Sequence, residues 1–262
     1  MHLVAISSSE AELLRQIWRV RDPLGRFHLH AVNEHSAGQL LPALQALEFA
    51  GALVLDPEAQ VDITGVVQRS SLEAQEAGAV DTVTVTAAGI IGEYNFGRAL
   101  GQLLREAGWD AAGARATILG AGPQVRAAAR ELSSLGAAEI AILSASRPEA
   151  EQSAPRLAAS TRLATRPIGD PLAVRHLQDS DLIVRLDARM PVPFEALGPH
   201  LTLVDLGSED LSKLRSQALN VGALSFNRRD FNGHFMALAL SQMLGGTVDA
   251  EPFLSLFHQS VH

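Results

Sequence analysis

The sequence predicts an α/β protein with two domains, and three observations lead to that prediction. The chain has 262 residues, which is long enough for two modest domains that each bury a core. Short apolar strands alternate with amphipathic helices along most of it, as they do where helices pack on a sheet. A glycine turn at residues 120–122 stands between a strand and a helix, which is the arrangement of Rossmann-like, doubly wound domains.

Composition and charge exclude several classes of protein. With 47% hydrophobic residues and no apolar run of membrane-spanning length, the chain is expected to be globular, without a membrane partner. No secretory signal pattern opens it, so we expect a cytoplasmic protein. The absence of cysteine excludes disulfides, a thiol nucleophile and thiolate metal ligands. A formal charge of −8 without a basic stripe argues against nucleic acid as a partner.

The first ninety-odd residues alternate between strand and helix. Strands are predicted at 2–6, 26–32 and 52–56, and helices at 7–20 and 35–51. Each helix begins with capping-box spacing, Ser9 with Glu12 and Ser36 with Gln39. Gly51 is predicted to close the second helix. Residues 79–94 are then predicted to form a β-hairpin that turns at Ala88-Gly89.

A second run of alternation follows an amphipathic helix predicted at 97–108. Its apolar strands are predicted at 115–119, 139–143, 160–165, 180–186, 201–206 and 222–226. Strands of this kind with helices between them favour a parallel, doubly wound sheet. The tail from about 230 to 260 is helical in pattern and is expected to return to the first domain. The predicted domains are therefore 1–96 with 232–262, and 97–231.

The glycine turn reads Gly120-Ala121-Gly122-Pro123-Gln124-Val125. Gly120, Gly122 and Val125 occupy the marker positions of the dinucleotide fingerprint, where the glycines permit a tight turn and close approach of a pyrophosphate. Pro123 fits the first helical turn, since its missing amide would be unpaired there anyway. The free amides and the helix dipole favour an anion. The alternative is a turn that only packs the helix on the sheet.

The end of the second strand of this unit indicates the cofactor. NAD enzymes place an acidic residue there for the ribose hydroxyl. This chain has Ser144, Ala145, Ser146 and Arg147 instead. The missing acid and the nearby arginine favour NADP, with Ser144, Ser146 and Arg147 as further cofactor-binding residues. NAD, or no cofactor with Arg147 as solvated surface, stays an alternative.

Several motifs stand in the order and spacing of a known family. They are GALVLDP (51–57), GAVDTV (78–83), GEYNFG (92–97), ILGAGPQVRA (118–127), LVDL (203–206) and ALNVG (218–222). Through them the chain resembles the shikimate dehydrogenase family over nearly its full length. The resemblance implies a substrate-type α/β domain first, a Rossmann-like dinucleotide-binding domain next, and C-terminal helices that return to the first domain. It also implies NAD(P)-dependent oxidoreductase chemistry.

The family's functional residues are replaced at the matching positions. Its catalytic lysine falls on Ala59, or on Gln60 with a one-residue shift, and its catalytic aspartate falls on Phe96. In the first domain, Leu53 and Leu55 replace the asparagine and threonine of the first motif, Asp81 replaces the asparagine of the second, and about Phe235 replaces the substrate glutamine. In the second domain, Ser208 or Gly207 replaces the tyrosine after VDL. The two cofactor motifs of that domain are replaced by Ser144-Ala145-Ser146 and Arg185-Leu186-Asp187. The family's N-terminal S-x-S motif is missing, and Ser7 to Ser9 are explained as a helix cap.

These replacements predict a less polar substrate pocket, at Leu53, Leu55, Asp81, Phe96 and Phe235. A polyol's hydroxyls would be left unpaired there, at about 1–3 kcal/mol each. The site should therefore reject shikimate. Candidates for a substitute acid or base are Asp81, Glu93 and Tyr94, with Asp56 and Glu58 nearby. The alternative for Asp81 is that it only hydrogen-bonds its own turn.

Two further clusters contain residues that can bind ligands. His28 and His30 share a face of one strand and, with His35, could begin a metal site, but no acidic partner has ligand spacing, so no metal is predicted. Arg228-Arg229-Asp230 either holds an anionic ligand or forms an ion pair where the chain returns to the first domain.

Three functions stay open on the sequence alone. The first is an NADP-dependent, shikimate dehydrogenase-like oxidoreductase with a less polar substrate. The second is a non-catalytic dinucleotide-binding or scaffold protein that keeps the fold. The third is a genuine shikimate 3-dehydrogenase with an aberrant site. The expected partner is a small-molecule substrate or ligand, although the second function also allows no binding at all, and the chain is expected to be a monomer or a homodimer.

Overall fold

A computed structural model of the chain describes residues 1–6, 26–32, 37–207 and 212–259. The helix predicted at 7–20, with His35, Ser36 and Ser208, lies outside the described residues. The chain divides into two compact units, unit 1 (Met1–Asn95 with Gly233–His262) and unit 2 (Phe96–Asn232). These boundaries differ by one residue each from those predicted. Both units combine helices with a sheet, which confirms the predicted α/β class.

Unit 1 is built from two separate segments of the chain. Its strands are β1 (His2–Ile6), β2 (His28–Val32), β3 (Gly51–Val54), β4 (Arg69–Ser70), β5 (Thr82–Thr86) and β6 (Gly89–Glu93). Its helices in the first segment are α1 (Ala37–Ala46), α2 (Pro57–Asp62) and α3 (Leu72–Ala77), with a 3-10 turn at Ile63–Gly65. The second segment supplies most of helix α9 (Arg228–Leu244) and all of α10 (Glu251–Gln259).

The described strands of unit 1 form a mixed, six-stranded sheet with the order β2-β1-β3-β5-β6-β4. Strand β1 is parallel to β2 and β3, while β5 is antiparallel to β3 and β6. Every residue of β3 is buried, as expected for a central strand that is covered on both faces. The predicted hairpin is confirmed as β5 and β6, but its turn lies at Ala87-Ala88, one residue earlier than predicted.

The prediction that Gly51 closes a helix is wrong. Helix α1 ends at Ala46, Glu48 takes the left-handed backbone conformation (φ 58°), and Gly51 begins β3. A Cβ on Gly51 would lie 2.3 Å from the carbonyl oxygen of Val83 and 2.6 Å from the Met243 sulfur. Glycine is therefore required there by close packing against a neighbouring strand and helix, and the end of α1 does not explain it.

Unit 2 is one continuous segment in which strands and helices alternate. Its strands are β7 (Arg115–Leu119), β8 (Glu139–Ser144), β9 (Arg162–Pro167), β10 (Leu182–Arg185), β11 (Thr202–Asp205) and β12 (Leu224–Asn227). Its helices are α4 (Phe96–Glu106), α5 (Pro123–Ser134), α6 (Arg147–Gln152), α7 (Pro171–Gln178) and α8 (Lys213–Asn220), with the start of α9. The six predicted strands and the predicted helix at 97–108 are thereby confirmed to within three residues at each end.

All described strand pairs of unit 2 are parallel, in the order β12-β11-β10-β7-β8-β9. The chain moves outward from β7 to β9 and then crosses back to β10 on the other side of β7. This is the doubly wound Rossmann order, which confirms the predicted class of the second unit. Its topological switch point lies between β7 and β10, where such sheets bind ligands at the carboxyl ends of their strands. Among the described helices, none is both long and apolar enough to cross a bilayer.

Candidate functional site

The glycine turn lies at the switch point of the unit 2 sheet. Strand β7 ends at Leu119, and the Gly120 amide donates to the Leu143 carbonyl at 2.9 Å, which continues the pairing with β8. Gly120 and Gly122 have φ values of 144° and 86°, which side chains rarely tolerate. A Cβ on Gly120 would lie 3.2 Å from the Leu186 side chain, while at Gly122 it would meet nothing within 4 Å. The turn is therefore tight on the side of Gly120 and open at Gly122.

Helix α5 begins directly after this turn. Pro123 is its first residue, and Gly122 occupies the capping position without a side chain that could pair the first amides. Within the helix, Val125 is fully buried and Pro123 and Gln124 are half-buried, whereas Ala121 before it is exposed. The positive end of the helix dipole and an open backbone thus meet at one point. That combination suits an anionic group such as a pyrophosphate.

Ser153 contacts the same backbone. The Gly122 amide donates to Ser153 Oγ at 2.8 Å, and Ser153 Oγ donates to the Glu149 carbonyl at 2.7 Å. Ser153 is buried just after helix α6. Sequence reasoning missed this residue, because no local pattern links a serine after one helix to a glycine before another. One amide of the turn is therefore already paired within the protein.

The last residue of β8 and those that follow it take distinct positions around the turn. The buried Ser144 hydroxyl donates to the Gly120 carbonyl, so it supports the turn from behind. Ser146 caps helix α6 by accepting from the Glu149 amide at 3.4 Å. Arg147 is exposed and donates to Glu151 at 2.8 Å, and this hydrogen bond raises the pKa of the guanidinium. Of the three, only Arg147 presents a charged side chain to solvent.

Two ion pairs lie at the carboxyl ends of β10 and β11. Arg185 donates to both carboxylate oxygens of Asp205, at 2.9 and 2.6 Å, and both side chains are buried. Asp187 is held by the exposed Arg189 at 2.8 Å, and this hydrogen bond lowers the pKa of the Asp187 carboxyl. The Asp205 carboxylate also accepts from Ser212 Oγ at 2.6 Å. The positions Arg185 to Asp187, which match the family's second cofactor motif, thus carry both ion pairs.

Asp81 in unit 1 is buried and strongly hydrogen-bonded. Its carboxylate oxygens accept from the Asn95 amide at 3.0 and 2.8 Å, and one of them accepts from Thr82 Oγ1 at 2.9 Å. Asn95 Nδ2 in turn donates to Thr82 Oγ1 at 3.1 Å and to Gln242 Oε1 at 2.7 Å. Both oxygens of Asp81 therefore hold the backbone that follows β6, 14 positions further along the chain, and not only its own turn. Asn95 and Gln242 were not predicted.

The other unit 1 candidates lie on or near the same strands. Glu93 is the cross-strand neighbour of Thr82, and Tyr94 follows it, almost fully buried. Leu53, also opposite Thr82, has no exposed surface, and Leu55 is half-buried.

The two positions that match the family's lysine show different surroundings. Gln60 is buried and donates to the Val54 carbonyl at 2.8 Å, while Ala59 is half-buried. Phe235 of unit 1 is buried, and in unit 2 the Phe96 and Phe231 rings lie 4.7 Å apart.

The histidine and arginine clusters form contacts with other residues of the protein. His28 and His30 lie beside His2 on the β1–β2 pair, with His2 Nδ1 3.0 Å from His30 Nε2. Within the part of the chain that the structure describes, no group of His, Cys, Asp or Glu residues could hold a metal ion. Arg228 donates to the Leu206 carbonyl, and Asp230 accepts from the Asn227 amide at 2.7 Å.

Comparisons with known proteins concern the chain as a whole. No protein-family model and no curated protein matches it. Shikimate 5-dehydrogenase of Thermus thermophilus, in complex with NADP(H) and shikimate, has a TM-score of 0.81 at 17% identity over 100% of both chains. The ligand-free 5-ketofructose reductase of a Gluconobacter species has 0.81 at 18% identity, over 99% of this chain and 98% of that one. Quinate dehydrogenase of Corynebacterium glutamicum, in complex with NAD, has 0.80 at 14% identity over 99% of each.

At these identities the likeness shows the fold alone. It spans both units, and it includes proteins whose named substrates differ from one another. The resemblance carried by the sequence motifs is thereby confirmed at the level of structure. The chain has the two-unit, shikimate dehydrogenase-like fold.

Proposed function

We propose that the chain is an NADP-dependent oxidoreductase of shikimate dehydrogenase type that acts on a substrate less polar than shikimate. One observation carries this proposal above the others. It is the glycine turn at the switch point of a parallel sheet, with both glycines in conformations that side chains rarely adopt and open space at Gly122. Such a turn suits a pyrophosphate, and the solved structures of this fold include complexes with NADP(H) and with NAD.

The proposed cofactor residues divide by role. The backbone of Gly120, Ala121 and Gly122 and the first residues of α5, Pro123 to Val125, would hold the pyrophosphate. Ser144 would fix the turn through the Gly120 carbonyl. Arg147, exposed at the start of α6, would pair with the 2′-phosphate of NADP, which an NAD-type acidic residue would repel. When bound, the dinucleotide supplies hydride transfer, which the protein itself cannot provide.

The proposed substrate preference rests on the replaced positions. The motifs place four apolar residues where the family holds polar ones, namely Leu53, Leu55, Phe96 and Phe235. Leu53 is fully buried. Apolar side chains at these positions favour a substrate with fewer hydroxyl groups, because each buried hydroxyl would need a partner. Small hydroxy and oxo acids with apolar groups are the substrates to screen.

Proton transfer then falls to Asp81, Glu93 or Tyr94 in this proposal. The two oxygens of Asp81 already accept three hydrogen bonds, which favours a positioning role for it. Tyr94 is the only tyrosine of the sequence, so Tyr94→Phe removes the only phenol from the protein. A loss of turnover in Y94F with unchanged cofactor affinity would support Tyr94 as the acid. Unchanged turnover in Y94F, with loss in Glu93→Gln, would assign the role to Glu93.

A second candidate function is a protein that binds a dinucleotide without turnover. The observation in its favour is the replacement of both family catalytic residues, by Ala59 and Phe96, together with the bonded state of Asp81. It predicts NADPH binding and no oxidation or reduction of any substrate in the screen. A genuine shikimate 3-dehydrogenase, the third candidate, predicts turnover of shikimate itself.

The first experiment is a calorimetric titration of the protein with NADPH and, separately, with NADH. We expect NADPH to bind at least about tenfold more tightly than NADH. Gly122→Ala should weaken both, because its Cβ would force the turn out of its conformation. Gly113→Ala is the matched control, since Gly113 has a similar φ of 75° and equally open space outside the turn. Equal binding by G122A and G113A, or no binding by the wild type, would contradict the proposal.

The assignment of Arg147 has its own test. Arg147→Gln should weaken NADPH binding about tenfold and leave NADH binding unchanged. Arg105→Gln is the control, because Arg105 is also an exposed arginine that is paired with a glutamate, Glu131. A loss of affinity for both nucleotides in R147Q would show that Arg147 does not distinguish NADPH from NADH through the 2′-phosphate.

A further inference from the structure

A cavity in unit 2 is distinct from the glycine turn. It has a volume of about 300 Å³ and lies between helix α7 and the strands β7, β8 and β9. Its walls include Arg115, Ala116 and Thr117, which begin β7, whereas the glycine turn follows the end of that strand. The two features are therefore at opposite ends of β7.

The acidic groups of the cavity already have cationic partners. Glu139 contacts Arg162 at 3.1 Å and His176 Nδ1 at 3.4 Å. Asp179 lies 3.9 Å from Arg115. The two wall hydroxyls are also engaged, since Thr117 Oγ1 and Ser180 Oγ lie 2.7 Å apart and Ser180 donates to the His176 carbonyl. None of these groups needs a ligand to satisfy it.

The cationic groups have hydrogen-bonding capacity to spare. Arg166 donates through Nη1 to Asp170 at 3.1 Å, but its buried Nε has no hydrogen-bond partner within the described residues. Arg175, on the last turn of α7, forms no ion pair with any residue that the structure describes. A buried guanidinium N–H without a partner is uncommon in folded proteins. The wall thus carries two guanidinium groups that are not fully used, one with an N–H without a partner and one without an ion pair among the described residues.

These observations identify the missing ligand by its chemistry. Guanidinium groups bind planar or tetrahedral oxyanions, carboxylate and phosphate above all, through paired N–H donors. The volume is at the lower end for small-molecule sites, which limits the ligand to a small metabolite. Leu172, Ala116 and Ala141 add an apolar part to the wall. We propose that this cavity is a second ligand site, which binds the carboxylate or phosphate group of a small molecule through Arg166 and Arg175.

The test is thermal unfolding against increasing inorganic phosphate and, in a separate series, succinate, each at constant ionic strength with chloride. We expect at least one anion to raise the midpoint temperature saturably in the wild type. Arg166→Gln and Arg175→Gln should each shift the half-saturating concentration upward by about tenfold. Arg156→Gln, an exposed arginine outside the cavity, is the control and should behave as the wild type. The better anion tells phosphate from carboxylate ligands.

Two further variants separate this cavity from the glycine turn and from a general loss of stability. Gly122→Ala should leave the anion response unchanged, because the glycine turn is not part of the cavity. R175Q removes an exposed side chain that forms no ion pair with the described residues, so it tests the site even where R166Q folds poorly after releasing Asp170. A response that G122A abolishes, a response that survives intact in R175Q, or no saturable response to either anion would overturn the proposal.

Discussion

At the scale of single residues, Ser153 occupies the position that an oxygen of a bound anion would take at the Gly122 amide. Its hydroxyl accepts from that amide and donates to the Glu149 carbonyl, so this one amide of the turn is satisfied without a ligand. A pyrophosphate that used this amide would have to displace the hydroxyl. Ser153 therefore competes with the proposed cofactor for one hydrogen bond.

Replacing Ser153 tests this competition directly. Ser153→Ala should raise NADPH affinity, because the Gly122 amide becomes free, while the free energy of unfolding falls by about 1 kcal/mol for the lost hydrogen bonds. Calorimetric titration and denaturant unfolding measure the two effects. Ser134→Ala, which loses a 2.8 Å bond to the Glu131 carbonyl away from the turn, is the control. Unchanged or weaker NADPH binding in S153A would contradict the competition.

Asp187 predicts a small pH dependence of stability. The hydrogen bond from Arg189 lowers the pKa of its carboxyl, so the pair stabilises the folded state above the ordinary carboxyl pKa. This contribution is lost as the pH falls through the lowered value. Wild-type protein should thus be slightly more stable than Arg189→Gln at neutral pH, and the difference should shrink as the pH falls below the ordinary carboxyl pKa of about 3.9 and vanish below the lowered pKa. Urea unfolding of both proteins across this range measures it, and a difference that persists at low pH would refute the assignment.

At the scale of elements, helices α4 and α5 pack closely through glycines. A Cβ on Gly97 would lie 2.6 Å from the Ala127 carbonyl oxygen, and one on Gly101 would lie 2.0 Å from Glu131 Oε1. The first clash is with backbone, which cannot move without shifting α5. The second is with the end of a flexible side chain. A side chain at position 97 would therefore require the backbone of α5 to move, whereas one at position 101 would require only a side-chain rotation, although both glycines belong to the same helix.

This difference can be measured. Gly97→Ala should lower the free energy of unfolding by about 1–3 kcal/mol, because α4 and α5 must separate to admit the methyl group. Gly101→Ala is the comparison and should cost less, since Glu131 can turn away and alanine favours the helix. Denaturant unfolding of the two variants gives both values. A larger loss in G101A than in G97A would contradict the packing described.

Some elements of the fold could be predicted from the sequence and others could not. The six strands of unit 2 and the glycine turn were predictable, because each is determined by a short run of residues that are neighbours in sequence. Helices α2 and α3 and the short strand β4 were not, since residues 57–78 carry no long apolar periodicity. Gly51 was misassigned because glycine is required there by close packing against Val83 and Met243, which are distant in sequence. Ser153, Asn95 and Gln242 were missed for the same reason, as their partners lie far along the chain.

At the scale of the whole molecule, unit 1 depends on both of its chain segments. Asn95 Nδ2 donates to Gln242 Oε1 at 2.7 Å, across 147 positions of sequence. Met243 lies against Gly51 of β3, and the Phe257 side chain of α10 is fully buried. The last helices are thus part of the core of unit 1.

Gln242→Ala tests this dependence with a single substitution. The buried Asn95 amide loses an acceptor, so the free energy of unfolding should fall by about 1–3 kcal/mol. Gln102→Ala is the control, because the described partner of the Gln102 side chain is an exposed glutamate one turn along the same helix, at 2.9 Å. Equal stability of Q242A and Q102A, measured by denaturant unfolding, would remove Gln242 from the network.

The division of unit 1 into two segments also sets an order of assembly during translation. A ribosome releases residues 96–232 before it releases 233–262, and unit 2 needs only the former. Unit 2 can therefore finish folding while the sheet of unit 1 still lacks α9 and α10 to complete its core. Residues 1–95 are synthesised before unit 2 and yet reach their native state after it, and in that interval their apolar strands are exposed to chaperones and to aggregation.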